Sequence, residues 1–153
     1  MKLIIPPPAQ VAILAVIMWQ ISKLLPHANF LFANKKEIVI VGVAIALLIT
    51  FIAAITLSRS RTTLNPFRPS NASSLVTHGI FRYSRNPIYV ADFMFLLSWA
   101  AWLGNPVNLI ALASFPIFIT ALQIKPEEEA LLQLFGDEYL KYQTTTPRWL
   151  KIL

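Results

Sequence analysis

The stretch that decides the fold is Ile38-Val-Ile-Val-Gly-Val-Ala-Ile-Ala-Leu-Leu-Ile-Thr-Phe-Ile-Ala-Ala-Ile-Thr-Leu57, which contains no charged residue. As a helix it would extend about 30 Å, which matches the hydrocarbon core of a bilayer. The whole chain of 153 residues is 56% hydrophobic and only 13% charged, whereas a typical globular domain is about 25% charged. We therefore predict a single all-α domain over residues 1–153 that is integral to a membrane.

Three further apolar runs flank this segment, at residues 9–25, 88–103 and 107–124. Together with residues 38–57 they predict about four transmembrane helices. Gly104-Asn105-Pro106 separates the last two runs with a turn signal, so these runs should form a helical hairpin. Pro116 lies inside the fourth run and should bend its helix.

Two polar segments remain between and after these runs. Residues 58–87 contain several arginines and no Asp or Glu, and their Pro, Asn and Ser content predicts a long loop. Residues 126–142 open with Pro126 and three glutamates, and apolar side chains then recur every three or four positions. That spacing predicts a C-terminal amphipathic helix.

The basic residues indicate the orientation of the chain. With four spans, the N-terminus, the loop 58–87 and the helix 126–142 share one side, which holds ten of the thirteen Lys and Arg residues. Positive charge favours the cytoplasmic side, so both termini should be cytoplasmic. The net charge of +6 does not indicate nucleic-acid binding, because the basic residues flank apolar spans. The absence of Cys excludes disulfides and thiolate metal sites, and we expect no metal.

Two separated motifs carry most of the polar chemistry on the predicted cytoplasmic side. The first is Thr77-x-Gly79-x-Phe81-Arg82-x-x-Arg85-Asn86-Pro87-x-Tyr89. The second is Glu127-Glu128-x-x-Leu131-x-x-x-Phe135-Gly136-x-x-Tyr139-x-x-Tyr142, followed by Arg148-Trp149-Leu150. Folded together over the hairpin, they could enclose a polar small molecule. Arginines would bind its anionic part, glutamates its cationic part or hydroxyls, and aromatic rings its planar part.

These motifs resemble those of the isoprenylcysteine carboxyl methyltransferase family and its bacterial relatives, which shade into the phospholipid N-methyltransferases. The resemblance covers about residues 65–150. It implies an integral-membrane methyltransferase of the bacterial inner membrane that uses S-adenosylmethionine, without a Rossmann domain, on an amphiphilic or lipid-like acceptor. The chain has four glycines and no Gly-x-Gly-x-x-Gly loop, which is consistent with this expectation.

The resemblance also implies which residues act. The implied cofactor contacts are Thr77, Gly79, Arg85, Asn86, Tyr89, Glu127, Glu128, Tyr139 and Tyr142. The implied catalytic residues are Arg85, Asn86 and Glu127, and the implied acceptor contacts are Arg148 and Trp149. Asn86 stands where the eukaryotic members have His, and an amide can hydrogen-bond but cannot titrate.

Methyl transfer from a sulfonium depends on alignment more than on proton transfer. A carboxylate acceptor arrives ionised, whereas an amine would need a base, and the sequence shows no compelling one. This favours an oxygen or sulfur acceptor.

Structural interpretations of the same residues remain open at this point. Arg82 and Arg85 could be positively charged anchors at the foot of a span. Asn86-Pro87 could simply begin the third helix, because Pro is favoured at a first helical position. The three glutamates could complement a helix N-terminus, worth about 0.3–1 kcal/mol each. Tyr89, Tyr139 and Tyr142 could belong to an interfacial aromatic belt.

Two further questions stay open. Asp92, one turn into the third run, is costly in a membrane unless paired, and it could reach an arginine of the loop or only the headgroup zone. The competing function is a non-enzymatic membrane scaffold or transporter subunit. It would explain the apolar runs and the charge asymmetry but would leave the two motifs unexplained.

Overall fold

All regular structure is helical in the computed structural model of the protein, which describes residues 5–30, 33–60 and 74–150. The α-helices are α1 (Pro7–Leu24), α2 (Lys35–Arg59), α3 (Pro87–Leu103), α4 (Asn108–Ile119), α5 (Lys125–Phe135) and α6 (Asp137–Thr145). A π-helical turn at Thr120–Ile124 joins α4 to α5, and 3₁₀ turns form at Pro26–Ala28 and Gly79–Arg82. The predicted all-α class is confirmed, and a helix forms at each of the four apolar runs.

Two helices among the described residues could cross a membrane by length and composition. They are α2, with a mean hydropathy of 3.1, and the continuous helix Asn108–Phe135, with a mean hydropathy of 1.6. Only 17% and 28% of their most apolar segments are buried inside the protein. Their apolar side chains therefore face outward, unlike those of a core helix in a soluble protein. Helix α3 is also apolar but has only 17 residues.

The helices pack around α3. Helix α2 lies along one side of α3, and α1 packs on both α3 and α4. The α2–α3 contact is close at Gly42, where a Cβ atom would collide with the Ser98 side chain. The main core joins α1, α3 and α4 with the π turn through buried Met18, Tyr89, Leu96, Ala100, Leu112, Phe115, Ile119 and Ile124.

A second buried group, the loop–helix cluster, positions the C-terminal part of the chain. Its buried members are Ala53, Val76, Phe81, Tyr139 and Tyr142. They come from α2, the segment that precedes α3, and α6. Burial of these side chains therefore seats α6 against the end of α2 and against the first motif.

The predicted hairpin between α3 and α4 is present. Gly104 ends α3 with φ +69, a left-handed conformation that glycine adopts without strain. Its N–H donates to the Ala100 carbonyl at 3.0 Å, and its own carbonyl accepts from Phe30 N–H at 2.9 Å. A Cβ atom at position 104 would lie 2.5 Å from the Phe30 carbonyl oxygen, so this turn requires glycine.

The predicted boundaries at the C-terminal helix are wrong in two ways. No break precedes Pro126; instead, the wide turn Thr120–Ile124 carries α4 directly into α5. There Lys125 N–H donates to the Thr120 carbonyl, which leaves room for Pro126, a residue without an N–H donor. The break comes at Gly136, where φ is +50 and the predicted helix 126–142 divides into α5 and α6.

The loop begins slightly later than the predicted residue 58, because α2 continues to Arg59. Residues 61–73 of the loop lie outside the described residues, as do 1–4, 31–32 and 151–153.

Candidate active site

The two sequence motifs meet at Glu128, which lies on the continuous helix after the π turn. Its Oε1 is 3.0 Å from Nη1 of Arg85, in the first motif. The guanidinium of Arg148 binds the same carboxylate with two bonds, Nε to Oε1 at 3.0 Å and Nη2 to Oε2 at 2.7 Å. Paired bonds of this kind fix the orientation of both planar groups. We call Arg85, Glu128 and Arg148 the charged cluster.

The charged cluster is mostly shielded from solvent. The side chains of Arg85 and Glu128 are 10% and 11% exposed, and that of Arg148 is 35% exposed. Two guanidiniums face one carboxylate, so the cluster carries an excess positive charge. Arg85 also donates from Nη1 to the Tyr139 hydroxyl at 3.3 Å. Its Nε is buried and has no acceptor among the described residues.

A neighbouring set of contacts surrounds Glu127. The Tyr89 hydroxyl donates to Glu127 Oε1 at 2.7 Å, and Gln123 Nε2 donates to the same oxygen at 2.7 Å. Tyr89 lies in the first turn of α3, so Glu127 joins α3 to the end of the long helix. The adjacent glutamates therefore have separate partners, because consecutive side chains on a helix point about 100° apart.

The chain after α6 crosses the start of α3 as a strap, which we define as residues 146–150. Arg85 N–H donates to the Pro147 carbonyl at 3.0 Å, and the Asn86 side-chain amide donates to the Arg148 carbonyl at 2.9 Å. Ser84 is buried beneath the strap and its hydroxyl accepts from Asn86 N–H at 3.0 Å. Asn86 therefore positions the strap that carries Arg148.

Tyr139 and Tyr142 hold α6 in place. They are 2% and 6% exposed, and their rings meet edge to face with centroids 6.2 Å apart. The Tyr142 hydroxyl donates to the Phe81 carbonyl at 2.7 Å. Burial raises the pKa of both phenols, so both hydroxyls stay neutral. The Tyr139 hydroxyl accepts from Arg85, whereas the Tyr142 hydroxyl donates. An interfacial belt position does not fit such burial, because belt side chains are exposed to the headgroups.

The remaining predicted residues lie farther from the glutamates. Thr77 and Gly79 are exposed, and no hydrogen bond or ion pair joins either of them to another predicted site residue in the described part of the chain. Gly79 has φ +61 and packs near Thr56 of α2. Trp149 is half-buried and packs against the main core. Its indole therefore anchors the strap.

The structure gives the surroundings of the glutamates and of Asp92, whose roles the sequence leaves open. Glu127 and Glu128 lie within the continuous helix Asn108–Phe135, so they do not occupy a free helix N-terminus. Their partners include Tyr89 of α3, Arg85 of the loop and Arg148 of the strap. Glu129 is exposed. Asp92 makes no hydrogen bond or ion pair with a described residue. Within the described ranges, no group of three or more His, Cys, Asp or Glu side chains could hold a metal ion.

Sequence reasoning missed Gln123 and Ser84. Gln123 precedes Glu127 by one helical turn, and an i, i+4 pair of this kind is a recognisable signal. Ser84 gave no signal, because its role depends on the strap that packs over it.

Comparison with known proteins places these observations in context. A family model described as phospholipid methyltransferase matches residues 37–138. An uncharacterized protein of Haemophilus influenzae is 38% identical over 63 residues, which cover 41% of this chain and 100% of that protein. Protein-S-isoprenylcysteine O-methyltransferase A of Arabidopsis thaliana is 37% identical over 90 residues, which cover 59% of this chain and 46% of that protein.

The human protein-S-isoprenylcysteine O-methyltransferase is 30% identical over 84 residues, which cover 55% of this chain and 30% of that protein. The chain thus spans about half the length of the Arabidopsis protein and less than a third of the length of the human protein.

Proposed function

The chain belongs to the phospholipid methyltransferase family, and on that premise we propose that it is a membrane-embedded enzyme that uses S-adenosylmethionine to methylate an amphiphilic or lipid-like acceptor. The observation that carries the proposal is the charged cluster. It joins Arg85 of the first motif, Glu128 of the second and Arg148 of the strap. Residues far apart in the sequence thereby form one site.

The side chains at this site fit the chemistry of S-adenosylmethionine. The cofactor has a carboxylate and an ammonium at one end and a ribose diol beyond its sulfonium. The excess positive charge of the charged cluster suits the carboxylate, and the buried Nε of Arg85 offers a donor that no described residue uses. The Glu127 carboxylate, held by Tyr89 and Gln123, suits the ammonium or the ribose hydroxyls.

When bound, the cofactor supplies an electrophilic methyl group. In this proposal, Arg85, Glu127 and Glu128 hold the donor, and Asn86 fixes the strap above it. Alignment of donor and acceptor by such fixed groups can lower a barrier by several kcal/mol. Arg148 and the exposed part of Trp149, both on the strap, contact the acceptor.

The proposed acceptor is an amphiphile that reaches the site from the membrane and presents an already ionised oxygen or sulfur. Support comes from the state of the nearest carboxylates. Glu128 is bound by two arginines, and Glu127 accepts hydrogen bonds from Tyr89 and Gln123. The two arginines make Glu128 a poor base, and the hydrogen bonds from Gln123 and Tyr89 partly offset the rise in the pKa of Glu127 that burial causes.

We propose four membrane crossings, with both termini cytoplasmic in a bacterial inner membrane. The charge asymmetry of the sequence and the outward-facing apolar side chains support this topology. The chain has no cysteine, so single Cys residues can report on exposure. Lys141→Cys should be labelled by a membrane-impermeant maleimide only after cell lysis, and Lys36→Cys in intact spheroplasts. Labelling of both positions from the same side contradicts this topology.

Ligand-induced stabilisation tests the function. A ligand that binds the native state alone raises its stability by mass action, about 2.7 kcal/mol at a hundred times its dissociation constant. S-adenosylmethionine and S-adenosylhomocysteine should raise the melting temperature of the purified protein, whereas ATP, which shares only the adenosine part, should not. If neither S-adenosylmethionine nor S-adenosylhomocysteine raises the melting temperature, the proposal is contradicted and the scaffold function is favoured.

Methyl transfer is tested with S-adenosylmethionine that carries a labelled methyl group. Membranes that contain the protein should incorporate label into the organic-soluble fraction, and membranes with the Glu127→Gln variant should not. Equal incorporation in the two preparations would assign the activity to another protein.

A further inference from the structure

A cleft lies at the end of the helices opposite the charged cluster. It is formed by the C-terminal ends of α1 and α3 and has a volume of about 310 Å³, at the lower end of the range for ligand sites. Its lining residues are Trp19, Ser22, Lys23, Pro26, Asn29, Trp102 and Leu103. The 17 residues of α3 separate the cleft from the charged cluster by about 25 Å. The cleft is therefore a separate site.

Two lysines line or adjoin this cleft, each held over a tryptophan. Lys23 Nζ lies 5.8 Å from the centroid of the Trp19 ring, and Lys35 Nζ lies 5.2 Å from the centroid of the Trp102 ring. No described carboxylate forms an ion pair with either ammonium. A tryptophan face attracts a cation but does not neutralise it. Lys23 therefore presents one positive charge in the cleft, and Lys35 presents a second beside Trp102, which lines the cleft.

The floor of the cleft is neutral and internally bonded. Ser22 and Asn29 line it, and the Asn29 amide donates to the Ser22 carbonyl at 3.1 Å. Asn105 donates to Asn29 Oδ1 at 2.7 Å, and Asn108 donates to Ser22 Oγ at 2.9 Å. These bonds fix the shape of the cleft without adding charge, so among its lining residues the charge comes from Lys23.

The surroundings of the cleft are apolar and outward-facing. Leu24 and Leu25 are 77% and 46% exposed at the end of α1, and Trp19 is 42% exposed. A free phosphate would leave this surface uncovered. A ligand with an anionic head and hydrocarbon chains would satisfy both the lysines and the apolar surface.

We propose that this cleft binds an anionic phospholipid from the leaflet at that end of the helices. The phosphate lies between Lys23 and Lys35, and the acyl chains lie against the exposed apolar side of α1. The lipid clamps α1 to the ends of α2 and α3, away from the methyltransferase site. The proposal does not depend on the enzymatic function.

The test is lipid-induced stabilisation of the purified protein in a neutral detergent. Dioleoyl phosphatidylglycerol should raise the melting temperature saturably, and dioleoyl phosphatidylcholine, with the same chains, should not. The double variant Lys23→Gln/Lys35→Gln should lose most of this increase. Lys36→Gln, the matched control at an exposed neighbouring lysine, should retain it. The double variant Lys23→Arg/Lys35→Arg keeps both charges and should also retain it.

Three outcomes would overturn the proposal. Equal stabilisation by the two lipids would show that head-group charge is irrelevant. Equal loss in the Lys36→Gln variant would reduce the effect to general surface charge. A full increase with glycerol phosphate alone would show that the cleft binds a small anion and not a lipid.

Discussion

At one end of the helices Glu128 lies between the guanidiniums of Arg85 and Arg148, whereas at the other end neutral side chains join the helices. There the amides of Asn105 and Asn108 donate to Asn29 and Ser22. Both ends bring α3 together with neighbouring segments. The first end uses a loop, a strap and ion pairs, and the second uses a tight turn and hydrogen bonds.

The difference indicates what each end is suited to do. A neutral hydrogen bond contributes about 1 kcal/mol. The amide network carries no net charge, although Asn108 Oδ1 has no donor among the described residues. The charged cluster has more cation than anion, and the Arg85 Nε lacks a described acceptor. It is therefore electrostatically suited to a further anionic group, whereas the amide network serves to fix helix ends.

The largest expected effect on stability is at the charged end. Glu128→Gln keeps the side-chain shape but leaves Arg85, 10% exposed, without its counter-charge. We expect the free energy of unfolding to fall by about 3 kcal/mol, at the low end for a broken buried ion pair because Arg148 is partly exposed. Glu129→Gln, at an exposed neighbour, should change it by less than about 0.5 kcal/mol. Unfolding in mixed micelles measures both, and equal values would show that the pairing contributes little.

The next effect is at the turn of the opposite end. Gly104→Ala places a Cβ atom 2.5 Å from the Phe30 carbonyl oxygen at φ +69, so we expect a loss of about 2–3 kcal/mol. Gly79→Ala is the matched control, because its φ is +61 but the nearest atoms are 3.4 Å away. It should cost about 1 kcal/mol. Thermal unfolding compares the two variants. Equal losses of stability would mean that the structure adjusts around the new Cβ atom near Phe30 without a loss of free energy.

Breaking a hydrogen bond of the amide network should have a smaller effect on stability. Asn108→Ala removes the bond from a fully buried amide to Ser22 Oγ, and we expect a loss of about 1–2 kcal/mol. A double-mutant cycle with Ser22→Ala should give a coupling energy of about 1 kcal/mol. Strictly additive losses would show that this bond does not join α1 to α4 energetically. Cofactor binding at the charged end should be unchanged in all three variants.

The smallest expected effect on stability is at the contact that holds α6 against the first motif. Tyr142→Phe removes the hydroxyl that donates to the Phe81 carbonyl, and the free energy of unfolding should fall by about 1 kcal/mol. Tyr83→Phe removes a hydroxyl from a side chain that is 59% exposed and should have no measurable effect. Denaturant titration of both variants checks the contrast. A Tyr142→Phe variant as stable as the wild type would mean that ring burial alone holds α6.

Prediction from the sequence worked best where one strong physical constraint acts. Long apolar runs predicted the positions of α1 to α4, because a helix satisfies its own backbone groups in an apolar environment. The loop and the glutamate-bearing helix were expected to meet, and the Arg85–Glu128 ion pair confirms that they do. The roles of these residues in binding and catalysis stay predictions.

Prediction from the sequence was weaker where the contacts of a residue depend on the rotation of its helix or on local backbone geometry. The sequence could not assign Glu127 to Tyr89 and Glu128 to Arg85, because that depends on how the helix is rotated. The turn Thr120–Ile124 was not anticipated, since its wide geometry arises from how the helix accommodates Pro126. The periodic apolar pattern also continued past Gly136 and concealed the break there.

The central claim is that the charged end binds S-adenosylmethionine. Isothermal titration with S-adenosylhomocysteine tests it most directly on the wild type, Glu127→Gln and Glu129→Gln. The account predicts that Glu127→Gln weakens binding at least tenfold, about 1.4 kcal/mol, while Glu129→Gln binds as the wild type does. Wild-type affinity in both variants would contradict it.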